Sequence, residues 1–136
     1  MSDKIFVDTN VLVYLHSRTD PSKRECARML FHEHQDIVVS TQVLNELANV
    51  LYKKRGESPE KIRVIIEDIL SFCQVVLIDT NTIFTALSLM KRYNYSYFDS
   101  LILASACECE ATTFYTEDMH NAHQLENGPK LVNPFL

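Results

Sequence analysis

Lys4-Ile5-Phe6-Val7-Asp8-Thr9-Asn10-Val11-Leu12-Val13-Tyr14 is the stretch whose reading decides the fold. Ile5-Phe6-Val7 is apolar, rich in β-formers and long enough only for a buried strand. It stops at Asp8, and a second apolar run begins at Val11. If the first run is a central parallel strand, Asp8 sits at its carboxyl end, where open α/β sheets place their ligands. A carboxylate there is costly to desolvate without a partner such as a metal ion. The plainer reading is that Asp8 or Thr9 caps the following helix.

Working outward, short strands alternate with helices. Asp20-Pro21 gives a cap and a first-turn proline for a helix to His34. Asp36 to Ser40 reads as a second strand, and Thr41 to about Lys54 as a helix burying Val43, Leu44, Leu47, Ala48 and Leu51. Gly56 lies just beyond its end. Ser58-Pro59-Glu60 opens the next helix. Val75 to Ile78 predicts a third strand ending at Asp79, followed by a helix from about Thr80 to Arg92. Another helix is expected from Tyr95 to about Glu108. Within it Leu101 to Ala106 holds one polar residue, Ser105, so deep burial is expected. Thr112 to Thr116 predicts a fourth strand, and Leu131-Val132 a short fifth. This alternation predicts a parallel sheet with helices on both faces.

The 136 residues fit one domain spanning 1–136, with 46% hydrophobic and 23% charged residues, as in ordinary globular proteins. No apolar run reaches the ~18 residues of a membrane helix, and the N-terminus lacks a signal-peptide pattern, so a cytosolic location is expected. Cys26, Cys73, Cys107 and Cys109 form no CxxC pair and read as reduced thiols. Gly56 and Gly128 belong to no phosphate-binding glycine motif. A formal charge of −5 argues against a general nucleic-acid coat protein. It does not argue against an enzyme that gathers its acids around a metal.

Four acids fall near carboxyl ends of strands or amino ends of the helices that follow: Asp8, Glu46, Asp99 and Asp118. In a parallel sheet those ends share one edge. Carboxylates converging there would repel each other and raise their own pKa values, and a divalent cation would relieve this. All-oxygen ligands suit Mg²⁺ or Mn²⁺, which can activate water and stabilise charge on a phosphodiester. Each acid also has a structural reading: Glu46 as a solvated helical acid, Asp99 as a capping-box partner of Ser96, Asp118 as a loop acid beside Glu117.

Asp8-Thr9-Asn10, Asn45-Glu46-Leu47, Phe98-Asp99-Ser100 with the apolar run behind it, and Thr116-Glu117-Asp118 resemble the four motifs of the PIN domain, in order, across nearly the whole chain. VapC-type toxins of toxin–antitoxin pairs are the most similar group. The resemblance implies a three-layer α/β/α sandwich around a parallel sheet and Mg²⁺- or Mn²⁺-dependent endoribonuclease activity. It implies a metal site of Asp8, Glu46, Asp99 and Asp118, supported by Asn10 and Thr116, together with a cognate antitoxin and a homodimer. Two other readings stand beside it: a PIN-like scaffold that binds metal or RNA without cutting, and a phosphoacceptor receiver domain using Asp79. The receiver lacks an acid pair after the first strand and a lysine after a late one.

Other features read more plainly. His120 and His123 are expected to be solvated loop histidines. Tyr93, Tyr95 and Tyr97 could stack on bases but are expected to anchor the buried helix. Lys53-Lys54-Arg55 and Lys91-Arg92 fit either helix C-termini or a rim that steers RNA.

Overall fold

The computed structural model describes residues 3–136. Its strands are β1 (Lys4–Val7), β2 (Asp36–Ser40), β3 (Gln74–Val76), β4 (Thr113–Tyr115) and β5 (Lys130–Val132). Its helices are α1 (Thr9–Leu15), α2 (Pro21–Glu33), α3 (Thr41–Lys53), α4 (Pro59–Leu70), α5 (Thr80–Tyr93) and α6 (Tyr97–Glu108). The strands form one parallel sheet in the order β3-β2-β1-β4-β5. This is the three-layer α/β/α arrangement expected from the alternation of strands and helices.

Ile5, Phe6 and Val7 are buried because β1 is central, pairing Ile5 with Ile37 of β2 on one side and with Thr113 of β4 on the other. Phe6 and Phe114, neighbours in that register, meet edge to face at 5.4 Å. Chain order runs outward from β1 to β3 and then returns to β4 on the far side of β1. Right-handed crossovers therefore place α1 to α4 on one face and α5 with α6 on the other. The contacts agree: α1 packs on α2 and α3, α3 on α4, and α5 on α6. The reversal at β1 and β4 opens a crevice at their carboxyl ends.

The helix starts follow the sequence signals. Asp20, Ser40 and Ser58 each accept a backbone N–H three residues on, and prolines stand in the first turns of α2 and α4. Leu101 to Ala106 is buried throughout.

Two boundaries differ from expectation by two residues, and others, such as both ends of β4, by one. β3 stops at Val76, because its partner β2 ends at Ser40, paired with Val76, where α3 begins. Leu77 is left 76% exposed, and the Ile78 N–H turns to Thr41 Oγ1. α6 starts at Tyr97 rather than Tyr95, because Asn94 takes a left-handed φ of 62° that ends α5 and Ser96 caps the new helix. The four cysteines are free.

Candidate metal centre

Asp8 is the first residue beyond β1, and both readings of it hold at once. One carboxylate oxygen accepts the Thr9 N–H at 2.7 Å, capping α1. The other accepts the Thr116 hydroxyl at 2.7 Å. Thr116, itself buried, follows β4, so this bond ties together the two strand ends at the crevice. The Thr116 oxygen also accepts the Asp118 N–H at 3.2 Å, which folds the loop after β4 back toward Asp8. Asn10 completes the link: its amide donates to Asp118 Oδ2 at 2.9 Å while its oxygen takes the Glu117 N–H.

Asp99 arrives from the opposite face, in the first turn of α6, where its N–H is held by the Ser96 hydroxyl. Asp8, Asp99 and Asp118 can each offer a carboxylate oxygen within 4.8 Å of the others. Burial grades across the group: Asp8 is buried, Asp99 half-buried and Asp118 exposed. Burial, with the charges of Asp99 and Asp118, pushes the Asp8 carboxyl up to about 7, against the pull of its Thr116 and Thr9 hydrogen bonds. Burial and Asp118 likewise raise Asp99.

Glu46 lies outside the compact group. Its side chain accepts the Gln42 amide at 3.0 Å, but burial and the charges of Asp99 and Asp118 raise it, so it faces the same cleft.

Glu117 and Asp118 are separated by a contact the motif does not show. Glu117 is turned away and held by Tyr14 at 2.9 Å and Lys23 at 2.5 Å. Lys23 also lies over the Tyr14 ring at 4.4 Å. Its charge is thus engaged, which leaves Asp118 as the acid of this loop facing the cluster.

The donor set suits a hard divalent cation. Three carboxylates offer only oxygen, and their mutual repulsion and raised pKa values are what a cation relieves. Two buried hydroxyls, Thr9 Oγ1 and Ser100 Oγ, each next in sequence to one of these acids, have no hydrogen-bond partner among the described residues.

The remaining candidates resolve individually. Asp79 is consumed by a capping box with Thr82, which starts α5 and lowers its pKa. Arg55 caps the end of α1, donating to His16 O at 2.6 Å and Val13 O at 3.0 Å, so its role is structural. Arg92 pairs with Glu126. His123 is half-buried against the Tyr93 ring at 5.2 Å and near the Tyr95 hydroxyl at 3.3 Å, so it is not the solvated loop residue expected. Local sequence reasoning missed this contact, although the alternating tyrosines marked one half of it.

A parallel α/β fold with clustered acids at the point where strand order reverses defines a class of proteins that could hold a metal ion there. Within that class, the PIN domain family matches residues 5–123, and the chain belongs to it. A search of curated proteins returns no match. Among solved structures, a toxin–antitoxin complex from Klebsiella pneumoniae is similar at 20% identity, covering 96% of this chain and 98% of that one, with a TM-score of 0.72. Mycobacterium tuberculosis VapC20, described as a sarcin-ricin loop cleaving toxin, is 20% identical over 85% of this chain and 92% of that one, with a TM-score of 0.71. The DNA-bound VapBC complex of Salmonella typhimurium is 18% identical, covering 94% and 96%, with a TM-score of 0.64. At these identities the likeness is one of fold. No helix of the described residues is long and apolar enough to cross a membrane.

Proposed function

We propose that residues 1–136 form a single PIN nuclease domain, a cytosolic metal-dependent endoribonuclease acting as the toxin of a toxin–antitoxin pair. The observation that carries this reading is the convergence of Asp8, Asp99 and Asp118 at the reversal of the sheet.

These three acids would hold Mg²⁺ or Mn²⁺, which when bound supplies an acidified water and positive charge for a phosphodiester. The chain's own residues do the rest. Thr116 and Thr9 fix both oxygens of Asp8, and Asn10 fixes Asp118, so the carboxylates are positioned before substrate arrives. Glu46, at the rim and with a raised pKa, is suited to take a proton from the attacking water.

The partners follow the same reading. Exposed Leu77, Phe84 and Leu87 on or beside α5, with Phe98 on the adjoining α6, offer an apolar face for a homodimer. A helix or extended segment of the antitoxin would lie in an apolar groove beside the acidic cleft. The concavity of about 960 Å³ lined by Leu15, Met29, Phe31 and Phe72 stands at the amino ends of the strands, away from the acids, and is not that groove. A basic side chain of that partner, most naturally arginine, would engage the acidic cleft and block it.

The test is cleavage of a panel of cellular RNAs. Cutting with Mg²⁺ or Mn²⁺ and none with EDTA is expected. Metal binding without cutting would favour the non-cleaving scaffold. Expression alone should arrest growth, and co-expression with the neighbouring gene product should relieve it and yield a complex on size-exclusion chromatography. A harmless wild type with no co-purifying partner refutes the toxin role while leaving the nuclease role open.

A further inference from the structure

The loops that deliver two of the acids also carry an aromatic cluster. Tyr95 stands just before α6, four residues ahead of Asp99. His120 stands two residues after Asp118, within the ~7 Å that two residues can span. Their rings are 5.4 Å apart, and the Tyr95 hydroxyl accepts the His120 N–H at 3.4 Å. His123 lies 6.3 Å from His120, and its ring meets Tyr93 at 5.2 Å. Tyr93, Tyr95 and His123 are half-buried and anchored, whereas His120 is exposed. Arg92, paired with Glu126, rests over the Tyr93 ring at 5.5 Å. A clasp joining two loops needs only the anchored members. It does not account for the His120 ring, which remains exposed two residues from Asp118.

We infer that this cluster is a stacking subsite, with His120 as its open face, for one unpaired nucleobase of an RNA strand whose phosphodiester lies at Asp8, Asp99 and Asp118. The inference rests on the ribonuclease reading and adds to it one base-contacting residue, His120, that would read an unpaired base. In a duplex the base faces are already stacked, whereas unpaired bases are free to lie on aromatic side chains. Tyr95 and His123, themselves packed on Tyr93, flank the His120 ring and restrict it, which lowers the entropy lost when a base settles on it.

The experiment uses the full-length protein and short single-stranded RNAs carrying 2-aminopurine at successive positions, whose fluorescence reports stacking. Binding is followed without divalent cation and turnover with Mn²⁺. Wild type should quench at least one position. His120→Ala should lose that quenching and raise KM roughly five- to hundredfold, with a smaller change in kcat. His120→Phe should restore both, and His120→Leu, bulky but without a π face, should behave as Ala. Matching melting curves establish that the variants are folded. If the wild type binds and cuts RNA while the Ala and Leu variants keep its quenching and KM, the subsite is refuted and the ribonuclease reading stands. If the wild type neither binds nor cuts RNA, both fall together.

Discussion

At the scale of single residues, Asp8 and Asp99 separate structure from chemistry. Asp99→Asn keeps the size of the side chain and the backbone cap from Ser96, but removes a charge from the cluster. Cleavage should fall by at least a hundredfold while the melting temperature of the metal-free protein holds or rises; full activity in the folded variant would remove Asp99 from the site. Asp8 sets the pH response. Its ordinary value of 3.8 is raised to about 7 in the folded chain. Between those limits the native state holds a proton that the unfolded state has lost, so metal-free stability falls as pH rises through the window. Asp99 and Glu46 shift in the same direction. Asp79 shifts oppositely, but its contribution is fully present above its ordinary 3.8 and stays constant there. Urea midpoints in EDTA should therefore be higher at pH 5.5 than at pH 7.5, and metal affinity should climb with pH before levelling above about 7.

At the scale of elements, what the sequence disclosed was whatever depends on neighbours along the chain. The Asp20-Pro21 and Ser58-Pro59 starts are local chemistry and needed no tertiary information. The end of β3 was not local: the apolar run continues through Ile78, but β2 has no more backbone to pair with beyond Ser40. Likewise, four acids could be placed at one edge from topology alone. The compact grouping of three, with Glu46 outside it, depends on how far each side chain reaches. The choice between Glu117 and Asp118 is made by Lys23, 94 residues away in sequence. Two helix-end predictions follow. Arg55→Met removes the charged donors at the end of α1 and should cost about 1–3 kcal/mol in denaturant unfolding. Asp79→Ala should cost about 1 kcal/mol by loss of the cap and leave RNA cleavage intact, whereas a phosphoacceptor role would make it functionally decisive.

At the scale of the whole molecule, the two faces of the sheet meet at the crevice through groups that repel one another. Asp8 and Asp118 flank the sheet's midline, and Asp99 comes from the α5–α6 face. A cation that binds only the native state adds about 2.7 kcal/mol at a hundredfold excess over its Kd. Thermal melts in Mg²⁺ or Mn²⁺ should accordingly lie several degrees above those in EDTA. Equal midpoints, with no heat of binding by calorimetry, would exclude a metal at these acids.

The graded burial of the three acids has a directional consequence. Asp8 is buried beside β1, Thr116 and α1, whereas Asp118 is open to water, so a cation held by these acids would be reached by solvent from the Asp118 side. Access to the cluster is thus one-sided. On the proposed function, an incoming phosphate, the spent product and a blocking arginine would all use the Asp118 doorway, so each would exclude the others by occupying the same threshold.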